Sequence, residues 1–156
     1  MCGRASRRGT DIERVNQLRF DAESWRGLVA GLLRRTDVES AALLFAERVP
    51  GLAHDVLVVR QVVHVPDDAF EVHEMDQIEI NPIAFNRLTR PARDLGLAVV
   101  TVHTHPMCGE PWFSRADDMG DARLMPSLAN RIPGQAHGSM VVVPGPDALA
   151  RVFDDG

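Results

Sequence analysis

The sequence predicts an α/β sandwich in which a mixed, mostly antiparallel sheet is flanked by helices. Two observations predict this class. Short apolar segments rich in β-branched residues alternate with longer segments whose apolar residues recur at helical spacing. The order is a helix, a run of strands separated by turns, a second helix, one buried strand, a third helix and two final strands. Such an order favours helices packed on a sheet whose strands are mainly joined by turns.

Length and composition are those of one soluble domain. The chain has 156 residues, of which 45% are hydrophobic and 25% charged. We expect a flexible tail over residues 1–10 and a single domain over residues 11–156. No apolar run approaches the about 18 residues of a membrane span, and the basic N-terminus lacks the apolar stretch of a secretory signal. We therefore expect a cytoplasmic protein with no membrane partner.

Charge argues against a nucleic-acid partner. The net charge is −5, which gives no support for a surface that binds phosphates. All 17 basic residues other than histidine are arginine. High-GC codon usage would explain the absence of lysine, and so would a need to avoid modification on a side-chain amine. The sequence does not separate these explanations.

The first half of the chain predicts one helix and several strands. Residues 16–20 are a candidate strand, and residues 24–35 form an amphipathic helix with an apolar stripe. Residues 39–46 and 55–65 read as strands paired in a hairpin across the turn at Pro50-Gly51. Residues 70–75 and 77–80 alternate in character, which predicts short, partly exposed strands.

The second half predicts two helices and three strands. A helix begins at the cap Asn81-Pro82 and ends at Gly96, and we expect Pro91 to kink or split it. A buried strand over residues 97–102 follows. Ser114 caps a helix that runs to about residue 130, which Pro126 is expected to bend. Strands over residues 137–143 and 149–153 complete the domain.

Two histidines stand at the end of the buried strand. His103 and His105 are two residues apart, so their side chains leave the strand on the same face. Two imidazoles placed in this way can bind one Zn²⁺ ion. Pro106 cannot donate to a strand ladder, so the strand ends there and the pair opens into a loop. The loop, residues 107–113, either lines a peptide groove or packs on the following helix.

Asp117 is the candidate third ligand. It lies in the first turn of the helix that Ser114 caps, where the helix dipole favours a carboxylate. Three protein ligands leave the fourth tetrahedral position open, which is the pattern of a catalytic rather than a structural zinc site. Cys108, near the histidines, is either an alternative ligand, a redox-sensitive residue of the loop or an ordinary loop cysteine.

Together these residues resemble the JAB/JAMM metalloprotease family, also called the MPN domain. The pattern of that family is a glutamate on an early strand, then H-[ST]-H-P, then S-x-x-D. The matching pieces are Glu39, His103-Thr104-His105-Pro106 and Ser114-Arg115-Ala116-Asp117, and the resemblance covers about residues 36–153. The loop before Ser114 is one residue longer than the commonest family spacing. This leaves Asp118 as an alternative to Asp117, which keeps the S-x-x-D offset.

The resemblance implies a fold, a cofactor and a reaction. The implied fold is the JAB/MPN sandwich, which is cytidine-deaminase-like, and the implied cofactor is Zn²⁺ on His103, His105 and Asp117. Glu39 would be the general base, and Ser114 would stabilise the oxyanion. The implied reaction is hydrolysis of a peptide or isopeptide bond after the C-terminal tail of a ubiquitin-like protein, in precursor processing or in deconjugation.

The bacterial members that this chain most resembles imply the partners. They are found beside E1-like and E2-like enzymes, in some cases in antiphage defence operons. The exposed strand over residues 77–80 is our candidate for holding a substrate tail by β-augmentation. A non-catalytic MPN scaffold and a JAB peptidase that trims a sulfur-carrier protein remain alternatives.

A zinc nucleobase deaminase is excluded, because the chain lacks the H-x-E and P-C-x-x-C motifs. Of the other histidines, His54 is expected to be solvated and His64 and His73 structural. His137 is either structural or orients a metal ligand.

Overall fold

The computed structural model describes residues 15–107 and 109–154, so the predicted tail and Cys108 lie outside the described residues. The elements are β1 (Val15–Arg19), α1 (Ala22–Leu32), β2 (Ala41–Val49), β3 (Asp55–His64), a 3-10 turn (Asp67–Ala69), β4 (Phe70–His73), β5 (Ile78–Ile80), α2 (Pro82–Leu95), β6 (Ala98–Thr104), α3 (Arg115–Arg131), β7 (His137–Val143) and β8 (Asp147–Phe153). This order confirms the predicted α/β class.

The sheet is mixed and mostly antiparallel, as predicted. Six strands lie in the order β1-β3-β2-β6-β7-β8. The pairs β1/β3 and β6/β7 are parallel, and the remaining neighbours are antiparallel. Strands β4 and β5 form a separate two-stranded hairpin. The predicted pairing of β2 with β3 is present, with a bulge between Phe45 and Ala46.

Helices cover both faces of the six-stranded sheet. Successive residues of β2 point to opposite sides. Leu44 belongs to a buried cluster with Leu28 of α1. Phe45 belongs to a second cluster with Phe85 of α2 and Leu128 of α3. Because both faces of β2 are buried, the strand reads as an unbroken apolar run rather than as an alternating one.

Both long helices continue without a break through their prolines. Asn81 caps α2 by accepting from the amides of Ile83 and Ala84, and Gly96 ends the helix with a φ of 64°. The predicted split at Pro91 does not occur, and α3 likewise runs unbroken past Pro126. Both prolines lie on exposed faces, as do residues 87 and 122, whose carbonyls lose their helical donors, so water can solvate these carbonyls. No helix among the described residues is both long and apolar enough to cross a bilayer.

Several element boundaries differ from the prediction by a few residues, and two of these differences have a clear physical cause. Helix α1 begins earlier than residue 24, because the side chain of Asp21 accepts a hydrogen bond from the Ser24 amide and so caps the helix. Strand β2 continues beyond residue 46 through charged residues, because β3 supplies their partners. Glu47 pairs with Arg60 at 2.7 Å, and Arg48 pairs with Asp55 at 2.7 Å.

Candidate metal centre

The histidine pair lies at the carboxyl end of β6, in the middle of the sheet. His103 stands opposite Ala41 of β2 on one side and Val141 of β7 on the other. The ladder ends at Thr104, but the amide of His105 still donates to the carbonyl of Val142 at 3.1 Å. The two imidazole Nε2 atoms are 3.2 Å apart. Both rings therefore present the same nitrogen to one point.

The start of α3 brings Asp117 to the same point. Ser114 and Asp117 form a reciprocal cap: the Asp117 amide donates to Ser114 Oγ at 3.1 Å, and the Ser114 amide donates to Asp117 Oδ2 at 2.6 Å. This cap fixes the carboxylate against the imidazoles. Asp117 Oδ1 is 3.0 Å from His103 Nε2, and Oδ2 is 3.5 Å from His105 Nε2.

These spacings fit a zinc ion. Ligand atoms about 2.0–2.1 Å from one tetrahedral ion lie about 3.3 Å from each other. The two histidine nitrogens are 3.2 Å apart, and Asp117 approaches each of them with a different oxygen, Oδ1 at 3.0 Å from His103 and Oδ2 at 3.5 Å from His105. One ligand atom from each of the three residues lies within 4.8 Å of the others. Two neutral imidazoles and one carboxylate are also donors that zinc prefers. His103, His105 and Asp117 could therefore bind the ion with little movement, and three ligands leave one coordination position open.

The charge of Asp117 suits this role. Burial opposes ionisation of its carboxyl, but hydrogen bonds with His103 and His105 outweigh burial and hold the pKa of Asp117 well below its usual range. The carboxylate is therefore ionised at neutral pH. A negative charge between two imidazoles is the electrostatic arrangement that a divalent cation requires.

Asp118, the alternative ligand, points elsewhere. Its Oδ1 is 2.6 Å from Nη1 of Arg151 on β8. Arg151 also binds the buried carboxylate of Asp121 at 2.6 Å and lies over the ring of Phe113, 3.8 Å from its centroid. Ser139 donates to the same carboxylate at 2.5 Å. This network, which no sequence pattern indicated, fixes the first turns of α3 and leaves Asp117 as the aspartate that faces the histidines.

Glu39 lies directly before β2 and faces the same three residues. Only 6% of its surface is exposed. Burial raises the pKa of the Glu39 carboxyl to about 7, while His103 and His105 favour its ionised form and Asp117 opposes it. A carboxyl with a pKa near neutrality can both accept and release a proton at physiological pH.

The hydroxyl proton of Ser114 has no acceptor among the described residues. Its hydroxyl oxygen accepts the hydrogen bond that caps α3, but a hydroxyl also carries one proton to donate. Capping the helix and stabilising an oxyanion therefore use different parts of the same group. The two roles predicted for Ser114 are compatible.

The loop after the histidines contacts the site directly. The ring of Trp112 lies 4.4 Å from the ring of His105, centroid to centroid. The buried Nδ1 atom of His105 has no hydrogen-bond partner among the described residues. The ring of this imidazole is therefore held by packing against Trp112 and by the contacts of its Nε2 atom with His103 and Asp117.

The remaining histidines lie away from the metal ligands. His137 is buried, and its ring nitrogens bond the Val99 amide and the Ile132 carbonyl, so it holds the backbone rather than a ligand. His54 and His64 are exposed. His73 contacts the backbone of Glu39, a contact that the sequence did not indicate.

A cleft of about 680 Å³ opens from the metal centre. Glu39, the two histidines and Asp117 line it together with residues of β5 and α3. The residues of the predicted edge strand, 77–80, all line this cleft. The cleft is therefore shared by the candidate metal ligands and the predicted edge strand.

Comparison with known protein families identifies the family of this chain. A protein-family model described as prokaryotic homologs of the JAB domain matches residues 21–153, a range that includes Glu39, the histidine pair and Asp117. A search of the curated proteins found no match.

Proposed function

This chain belongs to the family of prokaryotic homologs of the JAB domain, and we propose that it is a zinc-dependent peptidase or isopeptidase. The family includes metallopeptidases as well as non-catalytic members. One observation carries the proposal: His103, His105 and Asp117 converge at 3.0–3.5 Å in an open cleft. A scaffold that only binds partners does not need such a cluster beside a buried carboxylate.

His103, His105 and Asp117 would hold the metal. A zinc ion bound there would lower the pKa of a water molecule in its open position and polarise the scissile carbonyl. Glu39 then acts as the general base. It accepts a proton from the attacking water as the new C–O bond forms, which places the negative charge on the carbonyl oxygen. It then passes the proton to the nitrogen of the leaving amine, and the C–N bond breaks.

The hydroxyl group of Ser114 donates a hydrogen bond to the oxyanion that develops on the carbonyl oxygen. Its position is fixed before the reaction, because the same oxygen is tied to the Asp117 amide. A donor that needs no reorganisation stabilises the transition state more than it stabilises the substrate.

The substrate that fits best is the extended tail of a ubiquitin-like protein. The cleft is long and open, and it is lined by residues of β5, whose outer edge has no strand partner among the described residues. Such an edge can bind a peptide as an added strand. We further propose that E1-like and E2-like enzymes encoded in the same operon make the conjugate, and that the tail is released in processing or deconjugation.

Metal analysis and a cleavage assay test the proposal together. The substrate is a bacterial ubiquitin-like protein fused through its C-terminus to a reporter domain. We expect the wild-type protein to contain stoichiometric zinc and to release the reporter. Glu39→Gln should keep the zinc and lose cleavage. Glu47→Gln, the same substitution at the far end of β2, is the matched control and should retain both. A wild-type protein that binds no zinc would overturn the proposal.

A further inference from the structure

The geometry points to His73 as a positioning residue that holds the backbone of Glu39. The inference rests on the role of Glu39 in the proposed function. His73 lies on β4 and does not line the cleft, so it has no route to the substrate except through other residues. Its Nε2 atom is 2.8 Å from the carbonyl oxygen of Glu39. A carbonyl only accepts, so this nitrogen carries the proton and donates it.

The dipeptide Glu39-Ser40 is bound on both sides. On the hairpin side, the Glu39 amide donates to the carbonyl of Glu74, while His73 donates to the Glu39 carbonyl. On the side of β6, the Ser40 amide donates to Oγ1 of Thr104 at 2.8 Å, and the Thr104 amide donates to the Ser40 carbonyl at 2.9 Å. All four backbone polar groups of the dipeptide are therefore occupied by residues distant in sequence.

These hydrogen bonds are needed because Glu39 lies outside the regular strand pairing of the six-stranded sheet. Strand β2 begins at Ala41, so the backbone of Glu39 receives no support from pairing with β3 or β6. The carboxyl nevertheless has to stay in a mostly buried position beside the metal ligands. Without a fixed backbone, it would turn towards water.

His73 is itself fixed. Its ring stacks on Phe70 with a centroid separation of 4.2 Å and an interplanar angle of 25°. Phe70 packs in turn against the buried cluster between the sheet and α2. The imidazole therefore links the core of the protein to the backbone of the general base.

Two substitutions of His73 separate the effect of its hydrogen-bond donor from the effect of its ring. His73→Phe keeps a ring that can stack on Phe70 but removes the donor. His73→Gln removes the ring but places an amide N–H at about the distance of Nε2 from the backbone. We expect His73→Phe to lower kcat by about 10- to 100-fold, because small misplacements of a catalytic group cost about this much. KM and zinc content should not change, and His73→Gln should recover most of the loss.

Amide hydrogen exchange in the metal-free protein gives a readout that does not depend on activity. In His73→Phe, the amide of Glu39 should exchange at least about tenfold faster, while Leu44, in the middle of β2, keeps its wild-type rate. In His73→Gln, both amides should exchange as in the wild type. Parallel acceleration of both amides would show that His73 only supports the fold, and would overturn the inference.

Two further results would also overturn it: an unchanged kcat in His73→Phe, or a fall in kcat that His73→Gln does not recover. If the wild-type protein cleaves nothing, the proposed function fails by itself. The exchange rates of Glu39 then decide alone whether His73 holds this backbone.

Discussion

Replacing Glu39 with glutamine is expected to stabilise the metal-free protein, and to do so more at alkaline than at acidic pH. The carboxyl has an ordinary pKa of 4.5, which burial raises to about 7 in the folded state. Between these two values the folded protein binds more protons than the unfolded chain. The free energy of unfolding therefore falls as pH rises through this window. The destabilisation by the ionised carboxylate of Glu39 is absent well below pH 4.5 and complete well above about pH 7.

The magnitude follows from the difference between the two pKa values. One pKa unit corresponds to about 1.4 kcal/mol. At about pH 8 the ionised carboxylate of Glu39 therefore destabilises the folded state by about 3 kcal/mol, whereas at about pH 5 most of this cost is absent. Glutamine has a similar shape and carries no charge. The stabilisation by Glu39→Gln should thus be about 2–3 kcal/mol larger at the higher pH.

Urea unfolding followed by circular dichroism, with a chelator present, measures this difference. Wild type, Glu39→Gln and the control Glu47→Gln are compared at both pH values, and titrating groups that do not interact with either glutamate cancel in the comparison. Added zinc should reduce the stabilisation that Glu39→Gln gives, because a cation beside Glu39 stabilises the ionised carboxylate. A gain that is equal at the two pH values, or no gain at about pH 8, would refute the reasoning.

Three further predictions concern the other residues of the site. Asp117→Ala should lose the metal while Asp118→Ala keeps it, since Asp118 binds an arginine instead; metal analysis of both purified proteins checks this. Ser114→Ala should lower kcat by about 100-fold with little change in zinc content, as measured by the cleavage assay. The same variant should lose about 1 kcal/mol of stability, because it removes the cap. Arg151→Met should cost about 3 kcal/mol in urea unfolding, because it leaves the buried carboxylate of Asp121 without its cation, and an unchanged midpoint would contradict this.

The fold class and the family could be predicted from the sequence, because their signals are local or repetitive. Apolar runs of strand length marked the strands, and Asn81, Gly96 and Ser114 marked helix ends through hydrogen bonds that span a few residues. The approach of Asp117 to the histidines was predicted for the same reason. A helix cap and a strand end determine where each side chain points.

The polar contacts around the site could not be predicted in this way. His73 meets Glu39 across 34 positions, and Thr104 meets Ser40 across 64. Each is a single hydrogen bond to the backbone, which leaves no periodic pattern in the sequence. The sequence also could not decide between a kink and a split at Pro91, because the effect of a proline depends on whether water reaches the freed carbonyl, and exposure is a property of the packed molecule.

The connection between His105 and Ser114 is attached at each end to a rigid part of the molecule. His105 is bound to β7 through its amide, and Asp117 is locked by its reciprocal cap with Ser114. Changes in the length of this connection are therefore absorbed between its ends and do not displace the ligands. We therefore expect length changes to be tolerated best away from Trp112 and Phe113, because these two side chains contact His105 and Arg151.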